Sequence, residues 1–136
     1  MRRANVAILL CSLAWSVSAG SRSVWDGVYT RAQAARGKTV YAEICARCHG
    51  TTFLGGDDAA PLVGAPFLTK WSGKTVGDLV DVIRKDMPSD GPGIVTRREA
   101  SDVVAYLLSV NAFPTGQTEL EIDDAPLKDI RIEPKR

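Results

Sequence analysis

The sequence is poor in the side chains that bind soft metals: among 136 residues there are three Cys, one His and two Met. It also lacks an excess of either charge, with 17 Lys and Arg against 16 Asp and Glu, which excludes nucleic-acid binding by bulk charge. There is no internal repeat and no low-complexity tract. A chain of this length with 45% hydrophobic and 24% charged residues fits one ordinary globular domain with extensions. Long hydrophobic runs are missing too. The apolar stretch from about Ala4 to Val17 falls short of the roughly 20 residues a spanning helix needs. Arg2 and Arg3 precede it and Val17-Ser18-Ala19 follows it, so residues 1–19 read as a secretory signal peptide with the mature chain starting at Gly20. An uncleaved anchor fits less well, and so does a lipoprotein at Cys11, because Leu10 before it is large. Cleavage removes Met1, Cys11 and two of the 17 basic residues, leaving two Cys, one His, one Met and a net charge of −1.

Against this scarcity, Cys45-Ala46-Arg47-Cys48-His49 gathers two thiols and the imidazole into five residues. On the last turn of a helix, cysteines two residues apart can each add through sulfur to one vinyl group of the same porphyrin, at the spacing that attaches a c-type haem. His49 then lies under the ring face as the proximal axial ligand. A structural zinc would need four N or S ligands, and outside this stretch the chain offers only Cys11. A dithiol oxidoreductase would place its pair at the start of a helix after a strand, whereas here the pair ends a helical segment. A structural disulfide or a chance match remain as plainer readings. Export agrees with haem attachment, since the two thiols are handled in an oxidising compartment, and the expected location is periplasmic or secreted.

Residues 20–30 form a polar lead-in carrying Trp25 and Tyr29. Thr30-x-x-Gln33 reads as a capping box opening a helix from about Arg31 to Ala46. Gly37, Tyr41 and Ile44 share one face of it, and a mid-helix glycine suits close approach by another helix, or is simply tolerated. The stretch from Gly50 to Leu62 is a loop whose glycines let backbone pass near a flat ligand, with Asp57 and Asp58 solvated. In it Pro61, or the carbonyl beside it, can place an acceptor for the distal nitrogen of His49; a turn proline is the plainer reading.

Phe67, Leu68 and Trp71 form an apolar cluster. Trp71 is either core or an indole donor to a haem propionate. Thr75 caps a helix in which Val76, Leu79, Val80 and Ile83 follow the i, i+3, i+4, i+7 pattern, and which stops near Asp86 ahead of Pro88. Met87 sits in a polar, turn-rich loop, where packing alone is a poor account of it. Its thioether can face the haem as the sixth ligand, since the mature chain has no other soft donor to offer. Thr96-x-x-Glu99 caps a last helix, about Arg97 to Val110, with Ala100, Val103, Val104, Leu107 and Leu108 on its apolar stripe. Asn111 suits a left-handed C-terminal position. Residues 114–136 are expected to lie across the domain as extended chain, with Ile130-Arg131-Ile132 alternating like a short strand.

The order of these elements resembles the class I c-type cytochromes: a helix into CARCHG at Cys45 to Gly50, a proline loop, a tryptophan, a helix, Met87-Pro88 and a closing helix with an aromatic. The resemblance covers roughly Ala32 to Phe113. Gly37, Tyr41 and Tyr106 match the family's helix-crossing pattern, Pro61 takes the place of its histidine-carbonyl proline, and Trp71 that of its propionate donor. Phrases such as Asp26-Gly27-Val28-Tyr29, Pro61-Leu62-Val63-Gly64 and Ala105-Tyr106-Leu107-Leu108 are similar to bacterial members associated with quinoprotein dehydrogenases.

The resemblance implies an all-α cytochrome c fold, with three to four short helices around one covalent haem, over residues 31–113. With His49 and Met87 as axial ligands, the iron has no vacancy for substrate. The expected function is then single-electron transfer between redox protein partners, a dehydrogenase, a terminal oxidase or both, and not catalysis in its own right. Two rivals stay open. One is an electron-accepting subunit of a dehydrogenase complex; the other is a haem sensor or peroxidase-like protein with a labile sixth ligand.

Overall fold

Thr30 is extended and its hydroxyl accepts from the Gln33 amide at 3.1 Å, which opens α1 (Arg31–Val40) in the computed structural model, where residues 21–135 are described. The proposed signal peptide and Cys11 lie outside the described residues. The reciprocal half of the expected capping box is absent. Gln33 is 2% exposed and turns inward, its Nε2 donating to the Leu120 carbonyl (3.1 Å) and its Oε1 accepting from the Leu120 amide (2.8 Å). A buried backbone pair without other secondary structure has a stronger claim on the amide than a solvated helix start.

The helix also runs further than Ala46. α1 passes into a single π turn, Tyr41–Cys45, and then into α2 (Ala46–His49). The Ala46 amide donates to the Tyr41 carbonyl five residues back, so the turn holds one extra residue and re-aims everything after it. Gly50, at φ 74°, ends the helix while its amide donates to the Ala46 carbonyl at 2.9 Å.

α1 crosses the long closing helix α5 (Arg97–Val110) at Gly37. A Cβ at that position would sit 1.8 Å from the Asp102 carbonyl oxygen, so glycine is required there and not merely tolerated. Beside the crossing, Arg36 donates from Nε and Nη2 to the two carboxylate oxygens of Asp102, each at 3.0 Å. Asp102 is 4% exposed, and a buried carboxylate is tenable only when so paired.

α4 (Val76–Asp86) opens on a full Thr75/Asp78 capping box and α5 on the expected Thr96/Glu99 box. The expected stripes of both helices are buried. A fully buried Leu, Ile or Val contributes about 1.5–3 kcal/mol, so these stripes, facing one another with α1 packed on α5, form the core. α3 (Gly64–Trp71) carries Phe67 and Trp71 into it.

The C-terminal extension is more ordered than an extended strap. It contains α6 (Asp124–Lys128), packed on α4, and β2 (Ile130–Arg131), which pairs in parallel with β1 (Arg22–Ser23) of the lead-in. The lead-in is likewise structured, with a 3-10 turn at Val24–Asp26 capped by Ser23. Leu120, Leu127, Ile130 and Ile132 are all buried, because the alternation of apolar and charged residues lets one side of the tail seal α4 and α5. Asn111 is not left-handed (φ −90°); that conformation falls on Ala112 (φ 60°). The all-α expectation holds, with the short parallel pair as its only sheet among the described residues.

Candidate haem centre

The π turn, α2, the loop after it, α3, α4, the turn after α4 and α5 border a cavity of about 340 Å3. Its floor is apolar, made by Leu79, Ile83, Val95 and Leu107 among others. Cys45, Cys48 and His49 line one wall, and Met87 and Pro88 line another. Both cysteines are free thiols. Cys45 is partly buried, and loss of hydration, helped by the neighbouring Cys48, pushes its thiol up to about 11. Two thiols, an imidazole and a thioether around an apolar cleft are a donor set that fits haem c. Among the described residues, no three His, Cys, Asp or Glu side chains cluster as a metal ion held by such ligands would require.

His49 Nδ1 lies 2.8 Å from the Ala60 carbonyl. A carbonyl oxygen can only accept, so Nδ1 carries a proton, and in the neutral ring Nε2 then keeps its lone pair. The acceptor is the residue before Pro61, and the residue preceding a proline is biased to extended backbone, which helps to aim that carbonyl. The loop carrying it is closed upon itself: the Leu62 amide donates to the Phe53 carbonyl (2.8 Å) and the Gly55 amide to the His49 carbonyl (3.0 Å). Gly55 serves this closure, for a Cβ there would lie 2.0 Å from the Ala59 carbonyl oxygen. Asp57 and Asp58 are exposed, and Asp58 also borders the cavity.

Met87 follows α4 in an extended conformation (φ −117°, ψ 145°), which turns the chain along the cavity wall. Trp71 ends α3, 4% exposed and bordering the cavity, with the ammonium groups of Lys70 and Lys74 at 5.8 and 5.1 Å from its ring centroid.

Two further residues support the site through hydrogen bonds that the sequence did not show. Tyr41, in the π turn, donates its hydroxyl to the Gly50 carbonyl at 2.7 Å and packs on Phe53 and Tyr106, with ring centroids 4.7 and 5.6 Å away. Burial, with Cys45 and Tyr106 nearby, pushes its phenol up to about 12. Asn111 clips the loop from the other side: its Oδ1 accepts from the Gly64 amide (2.9 Å), while its Nδ2 donates to the carbonyls of Leu62 (2.9 Å) and Leu107 (2.8 Å). The aromatic spacing Tyr41/Tyr106 was a visible signal. An asparagine after a helix gave none beyond a turn.

A helix delivering CxxCH, a proline loop that orients the histidine, and a closing helix crossing the first at glycine define a class I c-type cytochrome domain. The family model described as cytochrome C oxidase, cbb3-type, subunit III, matches residues 32–107, and the chain belongs to that family. Such a domain transfers electrons through haem. Among solved structures, the crystal structure of the sulfane dehydrogenase SoxCD from Paracoccus pantotrophus is similar at 20% identity and TM-score 0.48, over 85% of this chain. This chain spans 63% of that one's length. No curated protein matches this sequence.

Proposed function

We propose that the chain is a monohaem c-type cytochrome carrying single electrons between redox proteins, with Cys45 and Cys48 as thioether attachments and His49 and Met87 as axial ligands. The observation that supports this most is the convergence of all four side chains on one apolar cavity, with His49 already held in the ligating tautomer by the Ala60 carbonyl. When bound, haem supplies a one-electron Fe(III)/Fe(II) couple.

The chain's own residues tune and shield that couple. The Met87 thioether is a soft donor that favours the reduced state relative to a second nitrogen. Leu79, Ile83, Val95 and Leu107 exclude water and so disfavour the more highly charged oxidised state. Trp71, at the cavity border, would offer its indole N–H to a propionate, and Pro61 would steady the Ala60 acceptor. The partners are a dehydrogenase as donor, a terminal oxidase as acceptor, or both, joined through small, transient contacts. The family's description as an oxidase subunit agrees with the second. The protein works after export, in the periplasm or outside the cell; no helix of the described residues is long and apolar enough to cross a membrane.

Met87→Ala tests the axial assignment. It should lower the reduction potential and open the reduced protein to carbon monoxide. An unchanged redox titration with no carbon monoxide adduct removes Met87 from the site.

A further inference from the structure

The two walls of the cavity are joined at the surface by one ion pair. Arg47 Nη2 donates to Asp90 Oδ1 at 2.5 Å. Arg47 lies between the two cysteines on α2, and Asp90 is three residues beyond Met87 in the turn between α4 and α5. The other ion pairs among the described residues lie elsewhere: Arg36 with Asp102 and Glu119, Lys85 with Asp81, and Arg97 with Asp124.

The Met87 turn is held at its two ends by buried Pro88 and Val95, and by the Gly91 amide donating to the Pro88 carbonyl at 2.9 Å. That inner bond shapes the turn but does not fasten it to α2. Ser89, Asp90, Pro92, Gly93 and Ile94 are exposed, Ile94 at 59%. The tip therefore has little burial to fix it, and segments of this kind open at low free-energy cost.

We propose that Arg47 and Asp90 form an electrostatic latch that holds the Met87 turn against the cysteine-bearing wall, so that the pair sets how readily Met87 yields its place to an outside ligand. The inference rests on Met87 and His49 being the axial pair. Arg47 and Asp90 are positioning residues: neither contacts the reacting atoms, and both act through the turn that carries Met87. The pair is about half exposed on each side, with relative exposures of 51% and 63%. Exposed pairs of this kind are worth little, so removing one partner should change the ligand-exchange equilibrium by about 1.5- to 5-fold.

The test is imidazole titration of the oxidised holoprotein, followed by the methionine-to-iron charge-transfer band. Arg47→Ala and Asp90→Asn should each bind imidazole about 1.5- to 5-fold more tightly than wild type at low salt. The difference should vanish near ~1 M salt, where the screening length is about 3 Å. The exchange Arg47→Asp with Asp90→Arg should restore wild-type affinity, which a merely structural role for either residue would not do. Asp90→Asn lies away from the attachment sequence and keeps the test readable if Arg47 variants mature poorly. A wild type with the methionine–iron band, whose affinity matches that of Asp90→Asn at low salt, overturns the latch alone. A wild type without the band overturns the axial assignment and the latch with it.

Discussion

Gln33 joins the cytochrome core to its C-terminal extension, and removing it should loosen that join by a calculable amount. In wild type its amide satisfies both backbone groups of Leu120, a residue only 3% exposed. In Gln33→Leu the volume is kept but both bonds are lost. The Leu120 carbonyl keeps only the longer branch, at 3.4 Å, of a bond that the Ser101 hydroxyl makes chiefly to the Glu121 carbonyl at 2.9 Å. The Leu120 amide loses the partner it has in Gln33, and a buried N–H left without one costs about 1–3 kcal/mol. Gln33→Ala adds a cavity to this, so it should be the worse of the two, by roughly a further 1 kcal/mol or more. For a domain of this size each kcal/mol lowers Tm by about 3–6 °C, so Gln33→Leu should melt roughly 3–18 °C below wild type. Far-UV circular dichroism on heating and in urea measures both variants, and amide exchange at Leu120 should accelerate. Melting of both variants within about 0.5 kcal/mol of wild type, the range of an inert surface change, would refute the clamp.

Gly37→Ala forces a methyl group into the Asp102 backbone at the α1–α5 crossing; it should cost at least about 1–3 kcal/mol, and a wild-type Tm would contradict the crossing. Thr75→Ala and Thr96→Ala each remove an N-cap and should each cost about 1 kcal/mol in urea unfolding. The two caps also make stability pH-dependent. Hydrogen bonds from Thr75, chiefly from its backbone, hold the Asp78 carboxyl below its ordinary 3.8, and those from Thr96, chiefly from its hydroxyl, hold Glu99 below 4.5. Both values are depressed on folding, so the stabilisation is present above the ordinary values and drains away as pH falls through the depressed ones. Asp78→Asn with Glu99→Gln should flatten the acid limb of a stability–pH curve below about pH 4.5, and an unaltered limb would assign it to other groups. His49→Ala should prevent stable holoprotein from accumulating in a maturation-competent host; normal yields of low-spin haem protein would displace it as the proximal ligand.

The helices were legible wherever the apolar period and the cap agreed. Thr75 with its i, i+3, i+4, i+7 stripe and Thr96 with Glu99 each signalled α4 and α5 locally. Gly37 left two readings open, a close crossing or a tolerated glycine, because a mid-helix glycine carries the same intrinsic cost in either case. What stayed hidden depended on partners far along the chain. Gln33 has the pattern of a local cap, yet its amide goes to Leu120, 87 positions away. The π turn at Tyr41–Cys45 has no composition signal, because it differs from the α-helix by one residue of register. The tail's α6 and β2 are too short to have a period of their own and owe their shape to the faces of α4 and β1 that they cover. At the site, the pentapeptide and Met87 stood out by scarcity of alternatives. Asn111 and the Arg47–Asp90 pair are ordinary surface residues until folding brings their partners near.

Intact mass measures directly whether a haem is joined to the polypeptide through two sulfurs. Purified from a host competent for cytochrome maturation, the protein should be coloured and heavier than its polypeptide by one haem, with the addition surviving denaturation. Cys45→Ala with Cys48→Ala should lose it. A colourless wild-type protein with the bare polypeptide mass would rule out covalent haem on Cys45 and Cys48.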